Sequence, residues 1–371
     1  MTPATAEGVC RAVAGHGLHG ASLRLPNRRL DSPTWQAVLE RVAQQRITGH
    51  LALALHDGAF AATGHQRATA VEHHERALAL DLLLERLLLR TAHALEKDGI
   101  PTRVLKGASV AHTVYPIPAL RSSGDVDLLV PGSCYDRAVG ALCAQGGQRR
   151  YAEPRLGFDR RFGKGVCIEA PDGFEVDLHR TLVAGPFGLS IDPDELFDAA
   201  ATFSIADRVL DCLDLEARFI HACFRAALGG DDTRLVPLRD VAQIALHTAV
   251  DTDRVQDLAT RWRCGIVVQR AIRLTWDAFA LTADPALVRW ARRHEPSVFE
   301  QRALRAYVAP NRSYARQALA GLEAVRGVRA KVAYARALML PRASYVRERD
   351  GGYLRRLKRG VKLLVGNQAN H

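Results

Sequence analysis

The chain has 371 residues, of which 48% are hydrophobic and 25% charged, and its formal net charge is +11. This length accommodates two or three domains, and the composition is typical of globular proteins with a filled core. No stretch approaches the roughly 18 apolar residues that a membrane-spanning helix needs. Seven scattered cysteines without a Cys-x-x-Cys pair exclude a zinc ribbon and a disulfide framework.

The N-terminus and the cysteines together indicate in which cellular compartment the protein resides. The first residues show no basic segment followed by a sustained apolar core, so no secretory signal is predicted. An odd number of unpaired cysteines fits a reducing environment. We therefore expect a cytoplasmic protein without a transmembrane segment.

The N-terminal region is predicted to be helical. Trp35–Leu55 and Ala68–Lys97 carry apolar residues at three- and four-residue spacing. The second segment has a wide apolar stripe suited to burial, formed by Leu80, Leu83, Leu84, Leu87 and Leu88. Asp98-Gly99-Ile100-Pro101 then predicts the end of this helix and the start of a first core strand.

Asp125 and Asp127 lie two residues apart in a segment that reads as a strand. Because strand side chains alternate between faces, both carboxylates project to one side, while Val126 and Leu128 point to the other. Two neighbouring carboxylates repel each other unless a cation lies between them. Oxygen ligands suit Mg²⁺, with Mn²⁺ as the alternative metal. Such pairs are also common on solvated edge strands, so the pair alone does not establish a metal site.

A glycine turn precedes the acidic pair. Lys106-Gly107 follows an apolar strand-like run, Arg103–Leu105, and precedes a predicted helix, Ala108–Val114. Glycine at such a turn lets backbone amides approach a phosphate. For Lys106, a solvated lysine at the end of a strand is an equally good interpretation. The candidate phosphate contacts are Lys106, Gly107, Ser109 and Arg121.

A third carboxylate, Asp177, belongs to a predicted hairpin over Val166–His179, whose turn is Pro171-Asp172-Gly173. In its second strand one face is polar, and this face would look toward Asp125 and Asp127 if the strands pair in one sheet. The alternative is an ordinary half-exposed strand. The polar face consists of Glu175, Asp177 and His179, and the apolar face of Phe174, Val176 and Leu178.

The remainder is predicted to be mostly helical, with helices over Leu213–Leu228 and Leu238–Val250 and a short strand over Ala201–Ala206. Nearly all the excess positive charge lies in Arg326–Lys362, which has twelve basic and two acidic residues. Within it, Tyr353–Val365 has apolar residues at helical spacing between basic ones. Such a helix binds an anionic surface or an acidic partner. Packing of its apolar stripe onto the protein's own domain is the preferred interpretation, with weak polyanion contact as the other.

As a set, these motifs resemble the nucleotidyltransferase superfamily (DNA polymerase beta-like), and most closely its poorly characterised bacterial "nucleotidyltransferase family protein" branch. The resemblance spans about Leu80 to Asp240. It implies that Asp125 and Asp127 hold two metals, that Asp177 completes the site, and that Asp240 lies in the cleft, where His179 also belongs. The usual turn of the superfamily is Gly-Gly or Gly-Ser, whereas this chain has Gly107-Ala108. The matching residues are Leu105-Lys106-Gly107, Tyr115-Pro116, Arg121, Asp125-Val126-Asp127-Leu128-Leu129-Val130 and Val176-Asp177-Leu178-His179.

We therefore predict an α/β (α+β) fold with a small mixed-sheet nucleotidyltransferase core at 98–200. Helical regions at 1–97 and 201–325 flank it, followed by a basic amphipathic tail at 326–371. The predicted activity is metal-dependent transfer of a nucleoside monophosphate from an NTP, first of all ATP, to a hydroxyl-type acceptor with release of pyrophosphate. The acceptor is a small molecule, a peptide or RNA. Two alternatives stay open: an inactive nucleotide-binding scaffold, and an RNA- or membrane-associated protein acting through its tail.

Overall fold

The N-terminal region is helical in the computed structural model, which describes residues 5–229, 234–309, 314–350 and 355. Its helices are α1 (Ala6–Gly15), α2 (Ser32–Gln44), α3 (Thr48–His56) and α4 (Gly64–Lys97). The segment Trp35–Leu55, predicted to be helical, is divided into α2 and α3 because the chain turns between them. At this turn Arg46 adopts a left-handed backbone conformation with φ of 56°, which interrupts a right-handed helix.

Helix α4 begins and ends at clear local signals. Thr63 Oγ1 accepts a hydrogen bond from Gln66 N at 3.1 Å, and Gln66 Oε1 accepts one from Thr63 N at 2.9 Å. This reciprocal capping box satisfies two backbone donors at the start of the helix. Gly99, with φ of 65°, follows its last turn and suits the left-handed conformation that ends helices. The buried stripe that packs against the sheet consists of Leu84, Leu87, Leu88 and Leu95.

One mixed sheet forms the centre of the molecule. Its strands are β1 (Arg103–Val104), β2 (Val126–Leu129), β3 (Gln148–Arg149), β4 (Gly165–Glu169), β5 (Glu175–His179), β6 (Ala200–Ile205) and β7 (Arg208–Leu213). Their order across the sheet is β3-β4-β5-β2-β1-β7-β6. The pairs β2–β5 and β1–β7 are parallel and the other four pairs antiparallel. The predicted α/β fold with a mixed sheet is confirmed.

The connections explain why β2 and β5 run in parallel. Helix α6 (Tyr135–Ala144) follows β2, and β3 and the short helix α7 (Phe158–Phe162) follow before the β4–β5 hairpin. Parallel neighbours need such a long crossover, whereas antiparallel neighbours need only a tight turn. The predicted hairpin is confirmed, because β4 pairs with β5 from Gly165↔His179 to Glu169↔Glu175. The helix predicted after the glycine turn is also observed, as α5 (Ala108–Val114).

The sheet continues past the domain boundary predicted at residue 200, because β6 and β7 pair along their whole length and join β1. A larger apolar core links the N-terminal helices to the helices that follow β7. None of the described helices is both long and apolar enough to cross a membrane. The later helices are α8 (Pro186–Ser190), α9 (Leu215–Leu228), α10 (Leu235–His247), α11 (Thr252–Arg261), α12 (Gly265–Phe279), α13 (Ala286–Arg293), α14 (Val298–Val308), α15 (Tyr314–Ala324), α16 (Val328–Met339) and α17 (Ala343–Asp350).

The first part of the basic tail packs on the rest of the protein. Tyr334 of α16 is buried and its ring lies 6.0 Å from the ring of Phe158 and 5.2 Å from that of Phe162. These contacts attach α16 to α7 beside the sheet. The predicted amphipathic helix over Tyr353–Val365 lies outside the described residues, apart from Arg355.

Candidate active site

The parallel pairing of β2 with β5 brings two of the predicted metal ligands together. Asp127 lies directly opposite Asp177 in the register, with Val126↔Val176 and Leu128↔Leu178 on either side. Because both strands share this register, both carboxylates project from the same face of the sheet. Asp127 is buried and Asp177 is half-buried. Asp125 precedes β2 and shares the face of Asp127 through strand alternation.

Lys106 joins the two carboxylates of the Asp-x-Asp motif. Its Nζ lies 2.8 Å from Asp125 Oδ2 and 2.8 Å from Asp127 Oδ2. The ammonium therefore occupies the position between two anions where the sequence predicts a metal ion. The interpretation of Lys106 as a solvated strand-end lysine does not fit, because its side chain is only 15% exposed.

His179 is the second direct partner of Asp127. Its Nε2 lies 2.8 Å from Asp127 Oδ1. One donor atom each from Asp127, Asp177 and His179 lie within 4.8 Å of one another, a spacing suited to a shared metal ion. Asp127 Oδ2, which touches the Lys106 ammonium, accepts no hydrogen bond of normal geometry from the described residues, and His179 Nδ1 has no hydrogen-bond partner among them. This donor set fits a divalent metal, with carboxylates suited to Mg²⁺ and an added imidazole to Mn²⁺.

The electrostatics keep Asp127 ionised. Burial raises the pKa of this carboxyl, but Lys106 and His179 together lower it far more, so the net shift is strongly downward. Burial and the nearby Lys164 lower the pKa of His179. A neutral imidazole can use one nitrogen as a ligand while the other holds Asp127 in place.

Sequence reasoning missed Lys164, which immediately precedes β4. Burial lowers its pKa, and the charges of Asp127 and Asp177 partly restore it. The half-buried ammonium thus shares the influence of Asp127 with Lys106 and adds a positive charge near Asp177. No motif marks this lysine, because its position follows from the irregular approach of the chain to β4.

Gly107 and Ser109 shape the turn before α5. Gly107 has φ of 65°, a backbone conformation that favours glycine, and a Cβ atom there would lie 2.9 Å from Ser123 Oγ and displace this hydroxyl. Ser109 is fully buried, and its Oγ lies 3.5 Å from the Lys106 carbonyl oxygen. The Ser109 hydroxyl thus has the protein backbone as its partner.

Arg121 and Asp240, both candidates from the sequence, form a buried pair with each other. Arg121 Nε donates to Asp240 Oδ1 at 3.2 Å and Nη2 to Oδ2 at 3.0 Å. The Tyr115 hydroxyl donates to Oδ1 at 2.9 Å, and Arg225 Nη1 to Oδ2 at 3.3 Å. This group, which we call the Asp240 cluster, uses the Arg121 fork internally, so Arg121 is occupied where a phosphate contact was predicted.

Two cavities meet at Lys106, Ser123 and Asp125. The first, here the α4 cavity, has a volume of about 220 Å³ and also reaches Asp127. The second, here the arginine cavity, is lined by basic side chains from three separate elements, Arg46, Arg225 and Arg234. The apolar wall of the α4 cavity consists of Leu78, Leu82, Leu84, Leu88, Ala108 and Ala111.

Comparison with known proteins gives the family. A family model described as "Uncharacterised nucleotidyltransferase" matches residues 31–280, and no curated protein matches. Among solved structures, the antibiotic-resistance factor ANT(2'')-Ia shares 18% identity at a TM-score of 0.35, over 49% of this chain and 92% of that one. An antigenic nucleotidyltransferase-like protein from Paracoccidioides brasiliensis shares 14% identity at a TM-score of 0.33, over 56% of this chain and 95% of that one.

The family match spans α2 to α12 and so contains the whole sheet and every residue of the site described above. The resemblance inferred from the motifs is thereby confirmed. The chain belongs to the family of uncharacterised nucleotidyltransferases and is a nucleotidyltransferase enzyme.

Proposed function

We propose that this enzyme transfers a nucleoside monophosphate from an NTP to a hydroxyl-type acceptor and releases pyrophosphate. A divalent metal, Mg²⁺ or alternatively Mn²⁺, would be held by Asp125, Asp127 and Asp177. The observation that supports this most strongly is the parallel register that sets Asp127 opposite Asp177. It gives the reacting face three carboxylates, of which two share a single ammonium.

The reaction balances with these groups. The acceptor oxygen forms a bond to the α-phosphorus, the bond to the bridging oxygen breaks, and pyrophosphate leaves with that electron pair. Asp177 makes no ion pair among the described residues and is placed to take the hydroxyl proton. His179 orients Asp127 through the contact at 2.8 Å. A bound metal would supply Lewis acidity and neutralise charge on the phosphates.

The triphosphate would bind beside the arginine cavity, which at about 20 Å³ is too small to enclose it but supplies cations that attract phosphate. Arg46, Arg225 and Arg234 present guanidinium groups beside Lys106 and Asp125. Guanidinium groups bind phosphate oxygens in a bidentate manner. Arg46 and Arg234 replace Arg121 and the Ser109 hydroxyl in the proposed nucleotide site, whereas Nη1 of Arg225 is held by Asp240 at 3.3 Å. We test ATP first among the NTPs and place the reaction in the cytoplasm, in line with seven unpaired cysteines.

Label transfer tests the proposal directly. The full chain is incubated with Mg²⁺, each α-labelled NTP in turn and a cell extract, and labelled products are separated. We expect one class of labelled product with the parent protein and none with the Asp125→Asn, Asp127→Asn double variant. Asp253→Asn, which changes an exposed acid on α11, is the matched control. Equal labelling by the double variant would contradict the proposal.

A further inference from the structure

The α4 cavity reaches the carboxylates of Asp125 and Asp127, whereas Arg46, Arg225 and Arg234 line only the arginine cavity. Much of the remaining lining of the α4 cavity comes from α4 and α5. Leu82 lines the cavity and is nonetheless 66% exposed. A leucine left in water at the mouth of an apolar cavity is a surface that a ligand with an apolar body would cover.

The wall of the α4 cavity carries negative charge that no cation of the cavity balances. Four carboxylates line it, those of Asp81, Glu85, Asp125 and Asp127, but its permanent cations are Lys106 and Arg121. Lys106 is shared by Asp125 and Asp127, and Arg121 is bound to Asp240. Asp81 and Glu85 therefore make no ion pair with a permanent cation of the cavity: Arg121 acts on Asp81 only at longer range, and the partner of Glu85 is His112.

Each of these two acids has part of its hydrogen-bonding capacity fixed. Asp81 Oδ1 accepts a hydrogen bond from Ser123 N at 2.6 Å, and Glu85 Oε1 lies 2.7 Å from His112 Nε2. Burial raises the pKa of Asp81 to about 6, although hydrogen bonds from Ser123 and Ser122 and the charge of Arg121 lower it in part. A ligand ammonium would supply the missing positive charge.

Given the proposed function, we propose that the α4 cavity is the acceptor site and that the acceptor is an organic cation: an alcohol with an apolar body and a protonated amine. The amine binds Asp81 and Glu85, the body contacts the leucines of α4, and the hydroxyl reaches Asp125 and Asp127. An NTP is directed to the other side of Asp125, since its triphosphate is attracted by the arginine cavity and repelled by Asp81 and Glu85.

Three ligands of one shape test the charge requirement. Tyramine, para-ethylphenol and para-hydroxyphenylacetate share a hydroxyl-bearing ring and differ in the charge of the side chain. We expect tyramine to bind the full chain about tenfold more tightly than para-ethylphenol, as a charge-assisted hydrogen bond provides, and para-hydroxyphenylacetate to bind most weakly. Calorimetry or ligand-observed NMR measures the three affinities. Equal affinities, or no tyramine binding at millimolar concentration, would overturn the proposal.

Variants of Asp81 and Glu85 test whether the preference for tyramine arises in the α4 cavity. Asp81→Asn keeps an oxygen for Ser123 N, and Glu85→Gln keeps one for His112, so each removes charge with little change of shape. Both should lose most of the preference for tyramine over para-ethylphenol. Glu72→Gln, an exposed acid on α4 outside the cavity, should keep it. Full preference in the Asp81→Asn, Glu85→Gln double variant would place the amine elsewhere and overturn the proposal.

Nucleotide binding separates this inference from the proposed function. Mg²⁺–ATP affinity of Asp81→Asn is measured beside that of the Asp125→Asn, Asp127→Asn variant. We expect the first to match the parent protein and the second to be reduced. If Asp81→Asn lost Mg²⁺–ATP binding, the α4 cavity would hold the nucleotide, and the acceptor assignment would be wrong while nucleotidyl transfer would stand.

Discussion

The carboxylate of Asp240 and the carboxylates of the active site differ in how many donors the protein provides for them. Asp240 receives four donor contacts, from Tyr115, from both sides of the Arg121 fork and from Arg225, at 2.9–3.3 Å. In the active site one ammonium, that of Lys106, is shared by Asp125 and Asp127. Asp177 is contacted by the Cys167 thiol and makes no ion pair among the described residues.

Under the proposed function, Asp240 is a structural carboxylate, whereas Asp125, Asp127 and Asp177 are the reactive ones. A carboxylate whose lone pairs are all used by the protein stabilises the fold and has nothing left for a ligand. A carboxylate with unused lone pairs can bind a metal or a proton. Residue type alone does not distinguish the two groups. Each combines aspartate with a basic residue, and the basic residues Lys106 and Arg121 line the same two cavities.

The largest effect should come from the reactive carboxylates. Asp127→Asn removes the residue common to the metal site, the lysine contact and the histidine contact, so we expect transfer to fall by about a thousandfold or more. Asp177→Asn should lose about a hundredfold in turnover while Mg²⁺–NTP affinity stays nearly unchanged. Steady-state rates and calorimetry separate the two variants. Parental turnover in Asp177→Asn would remove that residue from the site.

Replacing Asp240, the structural carboxylate, should lower the stability of the protein, whereas replacing Asp127 or Asp177 should lower the rate of transfer. Asp240→Asn leaves Arg121 buried without its counter-ion, and breaking a buried pair costs about 3–5 kcal/mol. We expect a marked fall in the free energy of unfolding, measured by urea denaturation. An Arg121→Met, Asp240→Asn double variant should lose less than the sum of the single changes. If Asp240→Asn kept full stability and lost activity, the cluster would belong to the catalytic machinery.

Replacing Lys106, whose ammonium is shared by Asp125 and Asp127, should make the stability of the protein depend on Mg²⁺. In Lys106→Met two carboxylates lie together without a cation, so we expect the metal-free protein to lose about 1–3 kcal/mol of stability. Mg²⁺ should restore more of the melting temperature in this variant than in the parent protein. Lys97→Met, at the exposed end of α4, is the control. If Mg²⁺ did not change the melting temperature of Lys106→Met, no metal would replace the ammonium.

The smallest effect concerns Asp81 and depends on pH. Its pKa of about 6 in the folded state lies above the value near 4 of an unfolded chain. Ionisation therefore costs stability, with the cost absent below about pH 4 and complete above about pH 6. Because Asp81 is half-buried, Asp81→Asn should gain about 1 kcal/mol at pH 7 and nothing at pH 4. Glu75→Gln should show no such trend, and a pH-independent gain would exclude this cause.

The sequence predicted the parts of the site that depend on strand geometry. The two-residue spacing of Asp125 and Asp127 and the hairpin that carries Asp177 were sufficient to place three carboxylates on one polar face. The pairing partner of β5 was not predictable from local pattern, because parallel pairing with β2 depends on a crossover of more than forty residues, from Leu129 to Glu175.

Two of the predicted phosphate contacts, Arg121 and Ser109, have partners within the protein, and for Arg121 the reason is physical. Arg121 lies close to the acidic pair in sequence. Its partner Asp240, however, belongs to α10, and Tyr115 follows the end of α5. No local pattern reveals that Asp240 will occupy the guanidinium and that Tyr115 will donate to the same carboxylate. Lys164, Arg46 and Arg225 were missed for the same reason, since their positions depend on tertiary packing and not on a motif.

The ammonium of Lys106 has a thermodynamic consequence for the order of substrate binding. A metal ion that enters between Asp125 and Asp127 must release this ammonium from two contacts of 2.8 Å. Lys106 also lines the arginine cavity, so triphosphate oxygens bound there would give the released ammonium new partners. Metal and nucleotide should therefore bind with positive cooperativity, each raising the affinity for the other by the same factor. The enzyme would then take up its metal as the metal–nucleotide complex, and free metal would bind weakly.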